Sequence, residues 1–322
     1  MKKKLNQKTI NNTILCCGTG IHSGKKVNIK IVPAKLDHGI VFKRIDVKKN
    51  NLIKATLENV SSTERSTKIS NDNVSVNTVE HLLAALYYYG ISNVLVEIDS
   101  YELPIFDGSS IEYCNLINKV GILNQKKERK RISLSKPKTI FSDFTDTYYE
   151  LVPHNKLRIS AKLNYDKEIL CENFAILNDI NKFEKEISNC RTFCMISEIE
   201  FLLSKNLING GSLDNCVVYI DKEIGEEKID LLKKKFNIKA LRKSTNNILN
   251  NEPLRFKNES ARHKILDMIG DLSLTEMILN FSIKAYMPSH KENITLAKKI
   301  KKLHENNLLW NTSKKSYTTS HK

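Results

Sequence analysis

Residues 78–98 read TVEHLLAALYYYGISNVLVEI, and this stretch contains both periodicities on which the fold depends. From Thr78 to Tyr88 the apolar residues Val79, Leu82, Leu83 and Leu86 recur at helical spacing, and Gly90 stands where a helix ends. From Asn93 to Ile98 the pattern becomes that of a strand. Tyrosines, Gly90, Ser92 and Asn93 interrupt the run from Leu82 to Ile98, so it falls short of the roughly 18 apolar residues of a membrane-spanning helix.

Upstream, Val27 to Val32 and Ile40 to Phe42 read as strands; downstream, Ser109 to Val120 reads as a second helix closed by Gly121. Beyond residue 131 the pattern predicts strands at Thr139–Phe141, Tyr148–Leu151 and Leu157–Leu163, and helices near Phe183–Ile187 and Ile196–Leu203. A strand at Cys216–Ile220 and a helix at Glu226–Phe236 follow, then helix Ala261–Met277, strand Asn280–Tyr286 and helix Glu292–His304. Each half therefore finishes as helix, strand, helix after a run of strands. That order predicts an α+β fold of two similar layered domains facing each other with a site between them, and it disfavours a doubly wound parallel sheet. The polar, basic stretch Gly121–Arg131 (GILNQKKERKR) reads as a linker, dividing the chain into residues 1–124, residues 125–305 and a polar tail at 306–322.

The length of 322 residues suits two domains of about 150 residues each. Lys2, Lys3 and Lys4 imitate the start of a signal peptide, but Asn6, Gln7, Lys8, Asn11 and Asn12 occupy the place of its apolar segment. Seven cysteines (Cys16, Cys17, Cys114, Cys171, Cys190, Cys194 and Cys216) form no CxxC pair, which suits a reducing, cytoplasmic setting. Lys+Arg of 52 against Asp+Glu of 36 gives a net charge of +16, spread along the chain instead of gathered in one block.

Chemistry concentrates in two segments. Glu80 and His81 lie side by side at a helix start, away from the apolar stripe. Asn77 with Glu80 also fits a weak capping box, in which Glu80 only satisfies a backbone donor and His81 is a surface residue. In the helix around Ala261–Met277, His263, Asp267 and Asp271 fall at i, i+4 and i+8 on one face, a spacing that suits one metal ion or merely a solvated His–Asp pair. Together His81, His263 and Asp267 make the donor count of a catalytic zinc that keeps its fourth position open, with Glu80 as a base beside it. His22, His38, His154 and His290 compete as ligands without a second ligand type at helical spacing, and Cys190 with Cys194 lacks further donors. The H-E-x-x-H protease signature and its inverse are both missing, Asn77 standing where the inverse would need histidine.

These two segments, together with Gly18–Gly24 (GTGIHSG), Pro104–Ser109 (PIFDGS), Arg191-Thr192-Phe193 and Asn209–Ser212 (NGGS), resemble the UDP-3-O-acyl-N-acetylglucosamine deacetylases, zinc amidases of lipid A synthesis. The resemblance runs in order from about Gln7 to about Lys302. It implies two similar α+β domains with the active site between them, zinc on His81, His263 and Asp267, and Glu80 as general base. It further implies that the Thr192 hydroxyl helps hold the tetrahedral oxyanion, that His290 is a cation near the leaving amine oriented by Asp271, and that Lys264 and Phe193 contact substrate. By their residues alone, Thr192 reads equally as a helix cap, Phe193 as a core ring and His290 as a helix-start residue.

The family's acyl passage maps to an insert at Phe193–Val218. There Ile196, Ile199, Leu202 and Leu203 form a buried stripe, while Met195, Phe201 and Leu207 are candidates to line the channel. The chain departs from the family at Met287 and Ser289, where lysine and glycine are common, which removes a phosphate contact and alters the loop before His290. Some relatives carry a fused dehydratase; residues 305–322 are too few for one. The expected partners are an acylated UDP-sugar and, peripherally, the inner membrane surface, with a monomer expected and no nucleic acid. The alternative is a basic nucleic-acid-binding protein on a similar scaffold whose metal site has decayed.

Overall fold

A computed structural model describes residues 5–165, 173–223, 225–237, 247–251 and 253–317; Lys2, Lys3, Lys4, Cys171 and the last tail residues, 318–322, lie outside the described residues. The first half runs β1 (Asn6–Ile10), β2 (Ile14–Thr19), β3 (Lys26–Pro33), β4 (Ile40–Arg44), β5 (Leu52–Lys54), β6 (Val60–Ser62), β7 (Lys68–Asn71), β8 (Val74–Val76), α1 (Glu80–Tyr89), β9 (Val94–Ile98), α2 (Ile111–Val120) and β10 (Ile122–Glu128). The strands β11 (Arg131–Ser133), β12 (Lys138–Phe141), β13 (Tyr148–Pro153), β14 (Arg158–Lys162) and β15 (Phe174–Leu177) open the second half. It continues with α3 (Phe183–Glu186), β16 (Phe193–Met195), α4 (Ile199–Ser204), β17 (Val217–Tyr219), α5 (Glu226–Phe236), α6 (Glu259–Ser273), β18 (Ile278–Tyr286) and α7 (His290–Tyr317).

Alternation builds the central strands. In β3, Val27, Ile29 and Ile31 are buried while Lys26, Asn28 and Lys30 are exposed; in β9, Val94, Val96 and Ile98 turn inward. The two large sheets repeat one plan, β2-β3-β9-β4-β5 and β12-β13-β18-β14-β15, with β11 added beside β18. In each, the central strand lies antiparallel to one neighbour (β3 or β13) and parallel to the other (β4 or β14). That strand enters from one helix (α1 or α6) and leaves into another (α2 or α7), the helix–strand–helix endings visible in the sequence.

One hydrophobic core runs through both halves, joining Ile29, Val96, Leu82 and Leu86 with Ile265, Ile269, Ile283 and Leu296. Helix α6 packs on β14 and β15 and on its other side against α1. For that reason α1 is buried from Glu80 through Tyr87, well beyond the stripe that its periodicity predicts. At the closest approach stands Gly270, where a Cβ would overlap the carbonyl oxygen of Glu80.

Several expectations need correction. Gly121–Arg131 is no linker: β10 pairs antiparallel with β1, and β11 pairs parallel with β18. Most of β10 is exposed, so it lacks the apolar alternation that marks a half-buried strand; Gln125 ties it down by donating to Ala34 O at 2.9 Å and accepting from Asn93 Nδ2 at 2.7 Å. The helix predicted at Ile196–Leu203 is a 3-10 turn, Ile196–Glu198, followed by α4. The helix predicted at Glu292–His304 starts at His290 and continues to Tyr317, so much of the predicted tail is helical. In the insert, Ile196, Ile199 and Leu202 are buried as expected in a smaller core of their own, while Leu203, expected with them, is only half-buried against it. Met195, Phe201 and Leu207 do not form one lining: Met195 belongs to the large core, Leu207 packs on the insert core, and Phe201 is 50% exposed.

Candidate metal centre

Helix α1 starts abruptly. Thr78 adopts a left-handed backbone (φ 59°) and donates its hydroxyl to Glu102 Oε1 at 3.1 Å, while Val79 N donates to Thr67 O at 3.3 Å. No side chain caps this helix, so the capping-box role for Glu80 is not realised. Glu80 instead points into the seam with α6, where Oε2 accepts the Thr67 N–H at 3.0 Å.

His81 Nδ1 faces the Ser109 carbonyl oxygen at 3.3 Å, and His263 Nδ1 faces the Cys190 carbonyl oxygen at 2.9 Å. A carbonyl can only accept, so both rings carry the proton on Nδ1 and keep the Nε2 lone pair free, the arrangement that orients metal-binding histidines. The two rings meet edge-to-face with centroids 5.2 Å apart. Asp267 Oδ2 accepts from Lys264 Nζ at 3.0 Å, but Oδ1 is buried with no hydrogen-bond partner and lies 3.3 Å from His263 Nε2. Ligand atoms of His81, His263 and Asp267 all lie within 4.8 Å of one another. An orphaned carboxylate oxygen facing two imidazoles in a closed site is costly without a cation between them, and it fits one.

Charge states agree with ligation. Burial and the neighbouring His263 push His81 down to about 4, and burial lowers His263 against the pull of Asp267. Burial would raise Asp267, but His263 and Lys264 outweigh it and hold the carboxyl well below the usual range. Neutral imidazoles and an ionised carboxylate are the metal-binding forms. Burial, reinforced by Asp271 and Asp267, raises Glu80 to about 8.

His290 opens α7 and is buried, so it is a helix-start residue with a partner: its Nδ1 lies 3.0 Å from Asp271 Oδ2. Asp271 also accepts from Thr67 Oγ1 at 2.5 Å and Asn293 Nδ2 at 2.9 Å. Burial alone would lower His290, yet Asp271 and Asp267 carry it to about 9, the imidazolium side of neutrality. Thr192 caps no helix; it precedes β16, its N–H bonded to Gly108 O at 2.8 Å. Phe193 is half-buried between the rings of Tyr165 and Tyr219, with Lys264 Nζ 5.5 Å from its centroid.

Of the other candidates, His38 and His154 bond to nearby carbonyl oxygens at the surface, and His22 stands outside the donor set. Sequence reasoning missed Thr67, which touches Glu80 and Asp271 at once. Its surroundings, Thr63–Thr67, are a polar loop between β6 and β7 whose value comes only from where the fold places it. The short glycine-rich runs have structural work: Asn209 and Gly210 donate their N–H groups to His22 O and Ile21 O at 3.1 and 3.0 Å, joining the N-terminal loop to the insert.

Two histidines and an aspartate on facing helices, with a buried glutamate beside them, are the equipment of a metal-dependent hydrolase. The chain matches the family model of UDP-3-O-acyl N-acetylglycosamine deacetylase over residues 7–233 and 227–302, and it belongs to that family. It is 34% identical over 308 residues to a UDP-3-O-acyl-N-acetylglucosamine deacetylase of Syntrophus aciditrophicus, covering 95% of this chain and 89% of that one. The corresponding enzyme of Saccharophagus degradans is 36% identical over 292 residues, 90% and 88% of the two chains. A bifunctional LpxC/FabZ enzyme of Porphyromonas gingivalis is 34% identical over 296 residues, which are 92% of this chain and 64% of that longer one. No helix among the described residues is long and apolar enough to cross a membrane.

Proposed function

We infer that the chain hydrolyses the N-acetyl group of UDP-3-O-acyl-N-acetylglucosamine, giving the free amine and acetate, the family's reaction in lipid A biosynthesis. His81, His263 and Asp267 would hold one zinc ion. The observation that carries this reading is the unpartnered, buried Asp267 Oδ1 facing His263 Nε2 in a three-residue donor set. When bound, zinc supplies a Lewis acid and brings the pKa of its water toward about 7.

The chain's own residues account for the rest. Glu80, fixed by the Thr67 N–H and returned toward its ionised form by a cation at the adjoining donor set, would take the proton of the attacking water. His290, held as a cation by Asp271, would give a proton to the leaving nitrogen and counter the negative charge that develops on the carbonyl oxygen. The Thr192 hydroxyl would add a donor to that oxygen, while Lys264 and Phe193 would meet polar and apolar parts of the sugar nucleotide. The nucleic-acid alternative has no support in this arrangement, because a decayed site would not keep its donors buried, oriented and in the right protonation states.

The reading extends to a cytoplasmic monomer that touches the inner membrane surface, for which the cysteine pattern and the +16 charge are the support. A division into two α+β halves is supported by the repeated sheet plan, with the boundary shifted from 124/125, which would cut β10, to the residues after Glu128. Acetate release from the acylated UDP-sugar, with and without a chelator and followed by zinc add-back, tests the central claim. Turnover that survives complete metal removal would overturn it.

A further inference from the structure

At the far end of α1 from Glu80, about 14 Å along the helix axis, the two halves leave an open cleft of about 900 Å³. The end of α1, the ends of β1 and β10, the turn between β13 and β14, and the start of β18 surround it. Four cationic side chains line it, Lys8, Arg129, Arg131 and Lys156, against one carboxylate, Asp179. That carboxylate is already engaged, by Lys156 Nζ at 2.6 Å and by Asn181 N at 3.0 Å.

Arg129 is the unusual member. Its backbone N–H bonds to Leu5 O at 3.0 Å, and its guanidinium lies 5.8 Å from the centroid of Tyr87, whose hydroxyl oxygen is fixed by the Leu279 N–H. The Arg129 Nε is buried and has no hydrogen-bond partner. Burial works against its positive charge and only Tyr87 opposes that effect; no carboxylate does. The carbonyl end of α1 is a weak counter-charge, but Lys8 Nζ already takes Tyr89 O at 3.1 Å. A guanidinium drawn partly out of water, with its Nε–H unpartnered and no anion beside it, leaves a charge and a donor that an anionic ligand in the cleft would match. Beside the cations stand half-buried apolar side chains, Tyr88, Leu134 and Ile180, which give the cleft an apolar wall.

We propose that this cleft is a second binding site, separate from the metal centre, for an organic anion whose phosphate or carboxylate head pairs with Arg129 and whose apolar body lies along Tyr88, Leu134 and Ile180. Arginine suits such a head because its planar fork meets two oxygens at once.

Calorimetric titration of the zinc-loaded full chain with octyl phosphate, below its micelle concentration, tests the site. Inorganic phosphate and octanol serve as the two half-ligands. The expected result is one binding event that Arg129→Met weakens about tenfold or more, that Arg129→Lys weakens less, and that Lys264→Ala at the metal centre leaves in place. Without ligand, Arg129→Met should melt no lower than the parent protein, since it removes an unpaired charge and keeps the apolar stem. Equal affinity in Arg129→Met, or binding lost only in Lys264→Ala, would overturn the proposal. So would octanol or inorganic phosphate binding as well as octyl phosphate. If Arg129→Met and Arg129→Gln both fail to fold, Arg129 is a structural cation and the ligand site does not exist.

Discussion

The two halves share a sheet plan yet contribute unequal chemistry. Helices α1 and α6 hold equivalent places before the central strands β9 and β18, and they pack against each other. From α1 come one imidazole and one carboxylate, both in its first turn; from α6 come His263, Asp267 and Asp271 on successive turns of one face. The difference continues in the helices that follow the central strands. The start of α7 brings His290 to Asp271, whereas the segment before α2 meets the His81 ring with an uncharged carbonyl, that of Ser109, and the His81 carbonyl with the Ser110 hydroxyl. Duplication thus supplies a rigid seam between like elements, and the asymmetry lies in which side chains face it.

The sharpest way to break this comparison is to remove a donor from α6. His263→Ala or Asp267→Ala should reduce zinc to well below one per chain and turnover to background, because each leaves two of three protein ligands. Elemental analysis after gel filtration reads the first effect directly. Full zinc in both variants would mean that α6 does not hold the metal. On the α1 side, Glu80→Gln should retain zinc and lose about 10²- to 10⁴-fold in turnover, the usual cost of a missing general base. If Glu80→Gln instead lost metal with activity, the division of labour between the two helices would be wrong.

How much of this was legible beforehand depends on the kind of signal. The i, i+4 spacing of His263 and Asp267 is local, and a helix turns it into a shared face wherever that helix lies. The Glu80–His81 pair is local too, but its burial is not: α1 looks amphipathic in sequence and is enclosed because α6 covers its second face. Thr67 carries no local signal at all, being a loop residue whose N–H and hydroxyl meet Glu80 and Asp271 only after folding. The mostly exposed strand β10, paired with the half-buried β1, fails for the opposite reason. Backbone pairing holds it, and side-chain periodicity does not report backbone pairing.

Gly270 tests the seam itself. Replacing a mid-helix glycine with alanine would ordinarily stabilise by roughly 0.5–1 kcal/mol. Here the added Cβ would overlap the Glu80 carbonyl oxygen, which cannot swing aside as a flexible side chain would. Gly270→Ala should therefore destabilise by about 1–3 kcal/mol, the range for overpacked cores, and lower zinc affinity by moving α1 from α6. Chemical denaturation measures the first quantity. A variant as stable as the parent would show that the two helices have room to separate.

The smallest expected effect concerns the loop before α7, where this chain carries Met287 instead of the family's common lysine. Met287 is stitched into its surroundings: its N–H bonds to Lys162 O at 2.8 Å, its carbonyl accepts the Thr147 hydroxyl at 2.7 Å, and its sulfur accepts the Asn164 N–H at 2.8 Å. The two backbone bonds survive a change of side chain, so Met287→Lys should keep the loop and add one half-exposed cation close to His290. A single screened charge is worth about 0.2–1 kcal/mol, so KM for the UDP-sugar should fall by no more than about fivefold, with kcat unchanged and the gain lost in high salt. A hundredfold fall would mean that diphosphate binding in this chain is crippled by the missing lysine and that its natural substrate carries less charge. No change at all would mean that other cations around the site already satisfy the diphosphate, leaving α7 to serve the reaction through His290 alone.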